Sequence, residues 1–197
     1  TNGGNNGSVS GGGESGNTSI KPSVNLLTTS NWVKQLPGKC TSACESYLQN
    51  AGLNFAGNRT NVYRSTYQDG SGLLHLSCHA LSTIISVIDK HLDSGRGIIA
   101  GLDYRYPSSN IDGSDHFVVI TGREYDSAYG SYYYTYMDPG RNSASQGCNT
   151  TTNRLYVDYS TNTIHYKRPN PYQNQEYEYT ITHVRPNDGN YSGSTTY

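Results

Sequence analysis

Phenylalanine, tryptophan and methionine are scarce: the 197-residue chain holds two, one and one of them. Its aromatic content rests instead on 19 tyrosines. Tyrosine buries a ring while keeping a polar tip, so this composition suits sheet surfaces and wet clefts. No apolar run approaches the roughly 20 residues that a membrane helix needs, which argues against a membrane span. No leader of the secretory type stands at the start of the chain. Charge of one sign is lacking too, with a formal net charge of -1 and no basic block. Binding driven by nucleic-acid phosphates is therefore poorly supported, and no nucleic acid is expected as a partner.

What is present divides unevenly along the chain. Residues 1–22, TNGGNNGSVSGGGESGNTSIKP, are of low complexity and read as a flexible linker, so the sequence starts as a piece of a longer polypeptide would. Residues 190–197 read as a disordered tail. Residues 23–189 are long enough for one domain with its own core. Low lysine with many Asn, Gly and Tyr fits an exported bacterial protein, secreted or held at the cell surface or in the periplasm.

The domain reads as helices first and strands second. TSACESYLQNAG opens with a capping-box pattern, Ser42 and Glu45, and ends at Gly52. Its apolar side is Cys44, Tyr47, Leu48 and Ala51. A second helix is expected from about Gly72 to His91, with Leu74, Cys78, Leu81, Ile85, Ile88 and Leu92 as its core stripe. RGIIAGLDY, HFVVITG, YYYTYMD, RLYVDYS, TIHYK and EYEYTITHV follow as short β-rich runs. Short connections make the sheet mostly antiparallel. The expected class is α+β, with N-terminal helices packed on that sheet.

Four cysteines occur, Cys40, Cys44, Cys78 and Cys148, in no recognised disulfide or zinc spacing. Cys40 stands just ahead of the first helix, after the turn-like LPGK. A helix N-terminus carries roughly +0.5 charge, which favours a thiolate. Cys44 falls on the apolar stripe and reads as a small core residue. Taken alone, Cys40 fits a structural thiol or half-cystine better than a nucleophile. His116 begins the HFVVITG run, and alone it reads as an ordinary strand end. If that run and the strand ending in YMDPGR form a hairpin, Asp138 lies level with His116. A carboxylate there binds one ring nitrogen and aims the other at a thiol. Asp-Pro-Gly is also common turn chemistry, and the two roles are compatible.

CTSACESYLQNAG, GRGIIAGL, SDHFVVITG and MDPG, in that order, resemble the papain-like cysteine peptidase and amidase superfamily. The likeness is to its compact bacterial branches, among them leader peptidases and cell-wall amidase effectors, and it spans roughly Gln35 to Arg141. The resemblance implies a papain-like fold, Cys40 as nucleophile, His116 as general base and Asp138 as orienting acid. It also implies an oxyanion-hole glutamine, for which Gln35 stands five residues before Cys40, one nearer than the usual spacing. Thr41 follows the cysteine where leader peptidases have Gly-Pro. The strands after Arg141 have no counterpart and read as an extension shaping the cleft. No cofactor and no metal are implied. The expected partners are a peptide or peptidoglycan substrate and, for a toxin, an immunity or inhibitor protein.

Two other readings remain open on the sequence. One is a cysteine protease or toxin acting on proteins. The other is a non-catalytic carbohydrate-binding or adhesion module, in which Cys40–Cys44 or Cys78–Cys148 are bridges and His116 is incidental. His75, His79 and His91 read as helix-surface residues, because no Glu stands between His75 and His79 as in zinc peptidases. Asp115 reads as solvent-facing. His165 and His183 are strand residues without evident partners. The Asn58 and Asn149 sequons mean nothing in a bacterial protein.

Overall fold

A computed structural model describes residues 20–53, 62–68, 71, 74–76, 78–103, 114–169 and 176–187. Along the chain run β1 (Val24–Asn25), a 3-10 turn (Thr29–Asn31), α1 (Cys40–Asn50), β2 (Tyr63–Arg64), β3 (Thr66–Gln68), β4 (Leu74–Leu76), α2 (Cys78–Asp93) and β5 (Ile98–Asp103). Then come β6 (His116–Asp126), β7 (Ser131–Met137), the one-turn α3 (Ala144–Gly147), β8 (Arg154–Asp158), β9 (Thr163–Pro169) and β10 (Glu176–Arg185).

Six strands close on themselves in the order β6-β5-β10-β9-β8-β7, and β7 pairs back with β6, antiparallel throughout. β1 adds to β6, β2 adds to β10, and β3 with β4 forms a separate ribbon. This closed barrel overturns the expected papain-like α+β sheet with helices packed on it. Residues after Arg141 are no extension, since β8, β9 and β10 are half of the barrel wall. Closure has a physical reason that no single strand reveals. β6 is 11 residues long and bulged between Ile120 and Gly122, so it pairs with β5, β1 and β7 at once. Gly122 sits where a Cβ would collide with the Thr135 hydroxyl and the Val24 carbonyl.

Strand alternation then sorts the apolar residues into two layers. Ile98, Ala100, Leu102, Val118, Ile120, Tyr134 and Tyr136 face one core together with Leu81, Ile84, Ile88 and Leu92 of α2. Ile99, Phe117, Val119 and Met137 face the other way and meet Cys44, Tyr47 and Leu48 of α1. Leu48 is fully buried, and each such side chain contributes roughly 1.5–3 kcal/mol. That packing fixes α1 against the outside of β5 and β6.

Several sequence expectations shift by a few residues. α1 begins at Cys40, with Lys39 as an N-cap whose side chain makes no capping bond, so Ser42 lies inside the first turn. α2 begins at Cys78, and Leu74 belongs to β4. His91 is buried rather than at the helix surface: Nδ1 lies 2.7 Å from the Val87 carbonyl, and Nε2 accepts from the Asn187 N–H at 2.8 Å. Asp115 is exposed. The side chains of His75, His79 and Cys78, and all of Asn58, lie outside the described residues. Ile20–Pro22 reach the barrel: Lys21 pairs with Asp89, and the Pro22 carbonyl accepts from Arg123 at 2.9 Å. Buried Arg123 also pairs with Asp89 and Asp93, at 2.9 and 2.7 Å, which pins α2 to β6. No helix of the described chain is long and apolar enough to cross a membrane.

Candidate active site

Leu36-Pro37-Gly38-Lys39 forms a tight turn closed by the Lys39 N–H on the Leu36 carbonyl at 2.9 Å, with Gly38 at φ +67°. Proline presets the first central residue, and only glycine enters the left-handed region freely. The turn delivers Cys40 as the first residue of α1, half-buried. Its sulfur hydrogen-bonds the His116 ring and meets the backbone N–H groups of Thr41 and Phe117.

His116 is the first residue of β6, opposite Leu102 of β5, and it is buried. Its Nε2 lies 2.7 Å from Oδ1 of Asp138, also buried, just beyond the end of β7. With Nε2 committed to the carboxylate, Nδ1 is the nitrogen left for the thiol. The hairpin register that brings the two together matches Val119 with Met137. Asp138 is itself held on every side. Oδ1 accepts from the Gly140 N–H at 2.8 Å, and Oδ2 faces Arg141 Nε at 3.3 Å. Its N–H donates to the Gly147 carbonyl at 2.8 Å, and its carbonyl accepts from Trp32 Nε1 at 2.9 Å. Asp-Pro-Gly thus makes a turn and presents a carboxylate to the His116 ring together.

The charges follow from these contacts. Burial alone would raise the Cys40 thiol, but the His116 hydrogen bond and charge, with the two N–H groups, bring it below its ordinary value. Burial works against the His116 cation as well. The bonds from Asp138 and Cys40 outweigh it and push the ring up to about 9. Both shifts favour a thiolate–imidazolium pair. Cys44 behaves oppositely: complete burial holds its thiol well above the ordinary value. Burial likewise pushes Cys148 up to about 11, although Thr29 bonds it. Cys40, Cys44 and Cys148 are free thiols, so the Cys40–Cys44 bridge does not form.

Gln35 is half-buried, and its N–H donates to the Pro139 carbonyl at 2.9 Å, beside Asp138. Its Oε1 is buried with no hydrogen-bond partner. An oxyanion donor requires Nε2 at that position, and a half-turn of the amide exchanges the two. Trp32, Arg141, Gly147 and the Phe117 N–H are parts of the site that sequence reading misses. Gly147 has no room for a Cβ, which would strike the Trp32 indole. The one available signal was composition, since Trp32 is the sole tryptophan. Among the described residues, no group of three or more His, Cys, Asp or Glu side chains is arranged to hold a metal. Compared with protein-family models, with curated proteins and with solved structures, the chain matches none.

Proposed function

We propose that the protein is a cysteine-dependent hydrolase of amide or peptide bonds. The observation that carries this reading is the run of contacts from the half-buried Cys40 thiol to His116 and on to Asp138, 2.7 Å from the ring. A structural cysteine has no need of a buried imidazole anchored by a buried carboxylate. Such a triad is recognised by geometry and roles rather than by fold, so the barrel does not count against it.

In this scheme the Cys40 thiolate attacks the substrate carbonyl carbon and forms a C–S bond. The carbonyl oxygen takes up the negative charge, facing the Cys40 N–H and the Gln35 amide. One such donor is worth roughly 3–4 kcal/mol in comparable sites. His116 then gives its proton to the leaving nitrogen as the C–N bond breaks. Water, deprotonated by His116, hydrolyses the thioester and restores the thiol. Asp138 keeps the ring oriented and stabilises its charged form.

For substrate, the proposal is bacterial cell-wall peptides. The motifs around GRGIIAGL and DHFVVITG support this through their likeness to amidase effectors, and the composition fits an exported enzyme. Purified sacculi incubated with the protein should release new amine termini, and a Cys40→Ser variant should release none. If sacculi stay intact while peptide substrates are cut, the target is protein and the enzyme is a protease. If neither is cut and Cys40 does not react with iodoacetamide, the hydrolase reading fails.

A further inference from the structure

A second constellation lies on the outer face of the barrel. Register places Glu124 of β6, Tyr133 of β7, Tyr156 of β8 and His165 of β9 in one row across the strands. The rings touch. Tyr133 and Tyr156 have centroids 5.3 Å apart, Tyr129 from the β6–β7 turn leans on Tyr156 at 5.0 Å, and Tyr166 flanks it at 5.7 Å. Between them and the Asp158–His165 pair runs a groove of about 570 Å³. That size lies within the range of small-molecule sites.

Part of this row is structural. Tyr133 is buried, bonded to Glu124 and covered by the Arg154 guanidinium 4.5 Å from its ring centre. Tyr129 is different, since it is 76% exposed. Its turn is nevertheless well braced: Asp126 Oδ1 accepts from the N–H groups of Ala128 and Tyr129, and Asp126 Oδ2 accepts from the Tyr156 hydroxyl at 3.2 Å. The exposed Tyr129 ring thus lines the groove from a braced turn, against Tyr156.

We propose that this groove binds a neutral oligosaccharide. The lining decides the ligand class. Among the described residues no Lys or Arg lines it, and Asp158 places a carboxylate at its rim, which disfavours phosphates and other anions. Among its described lining residues Val157 is the only aliphatic side chain, which suits neither an acyl chain nor an apolar peptide anchor. A pyranose ring has an apolar C–H face and a rim of hydroxyls. Tyrosine faces accept the first, while a carboxylate and a hydroxyl accept and donate to the second. Asp158 is already set for this role. Ser160 and Thr161 satisfy its Oδ1, while Oδ2 has one partner, His165 at 3.3 Å.

The groove is distinct from the triad. Ser131 opens β7 at the groove, and Asp138 follows its other end, roughly 20 Å away along seven extended residues. The inference therefore stands without the hydrolase reading, although a sugar site on an enzyme cutting wall peptides would hold it on its polymer.

The test is calorimetric titration of the full chain with tetrasaccharides of β-1,4-linked N-acetylglucosamine, β-1,4-linked glucose and β-1,4-linked mannose. At least one should bind. Tyr129→Ala and Asp158→Asn should each weaken it about tenfold or more. Tyr129 is exposed and Asp158 half-exposed, so both variants should fold, which circular dichroism checks. Cys40→Ser should bind as the parent does while losing hydrolysis, which separates the two readings. Kd values weaker than about 10 mM for all three sugars, or binding untouched by Tyr129→Ala, would overturn the proposal. Binding of a tyrosine-free anionic peptide or of inorganic phosphate at the groove would overturn it too.

Discussion

Replacing Asp138 with asparagine isolates what the buried carboxylate does for the thiol. The amide oxygen still accepts from the Gly140 N–H, and the backbone bonds to Trp32 and Gly147 are untouched. What is lost is the negative charge 2.7 Å from His116 Nε2. With the ring titrating at about 9, roughly nine-tenths of it is charged at pH 8. At the ordinary 6.5, that share is about 3%. The thiolate is stabilised by the charged ring, so Asp138→Asn should slow Cys40 alkylation at pH 8 by up to roughly thirtyfold. The residual Cys40 contact keeps the effect below that ceiling. The assay is the initial rate of iodoacetamide labelling, with the modified peptide mapped by mass spectrometry. Stability gives a second readout. The folded ring titrates above the unfolded one, so its contribution is fully present below pH 6.5 and is lost as pH rises through about 9. Across that window it is worth at most about 3 kcal/mol, at about 1.4 kcal/mol per pH unit, and the lowered Cys40 thiol, whose contribution grows as pH rises, offsets part of it. Asp138→Asn should flatten much of this alkaline loss in urea unfolding. Labelling within twofold of the parent at pH 8, together with an unchanged alkaline limb, would refute the reasoning.

Three further outcomes follow from other contacts. Cys44→Ala should leave one fast-labelling thiol and near-parental activity while lowering stability by about 1 kcal/mol, measured by urea unfolding, because Cys44 is a buried packing residue. His183 is pushed down to about 3, first by burial and then by Arg185 and Arg64, so it folds neutral. Its unfolded form takes a proton below about 6.5, and stability should fall by roughly 3 kcal/mol between there and pH 4.5. His183→Gln should remove that acid limb. Gly147→Ala would drive a methyl into the Trp32 indole and the Asp138 carbonyl, costing about 1–3 kcal/mol. Because Trp32 is the only tryptophan, its fluorescence should report the displacement directly, and Cys40 labelling should slow with it.

The meeting of Cys40, His116 and Asp138 was legible from the order and local contexts of the three residues, while none of them singly pointed to it. Pro37-Gly38 marks the turn before α1, a β-branched run starts at His116, and Asp138-Pro139-Gly140 closes the next strand. A hairpin brings strand ends together whatever lies around it, so the pairing of His116 with Asp138 needed no knowledge of the rest of the fold. The distinction between Cys40 and Cys44 was only half legible. Helical spacing put Cys44 on the apolar side, but burial and the His116 contact are what separate the two thiols electrostatically.

The barrel was not legible, and neither were the residues that brace the site. Periodicity names strands one at a time. Whether a row of strands stays open or closes depends on a bulge at Gly122 and on β10 bridging β9 and β5, the latter by contacts between residues some 80 positions apart. Trp32 against Asp138 and Gly147 is of the same kind. So is the buried state of His91, which faces Asn187 from the far end of the chain. Local sequence is enough for the secondary structure in outline, the hairpin and the chemical types available at its end. Tertiary packing set the closure, the contacts of Trp32 and Gly147 that brace Asp138, and the alignment of Tyr133, Tyr156 and His165 into one outer row. The physical reason is range: propensity and turn chemistry act over a few residues, while strand registry and burial are settled by whichever distant segment packs against them.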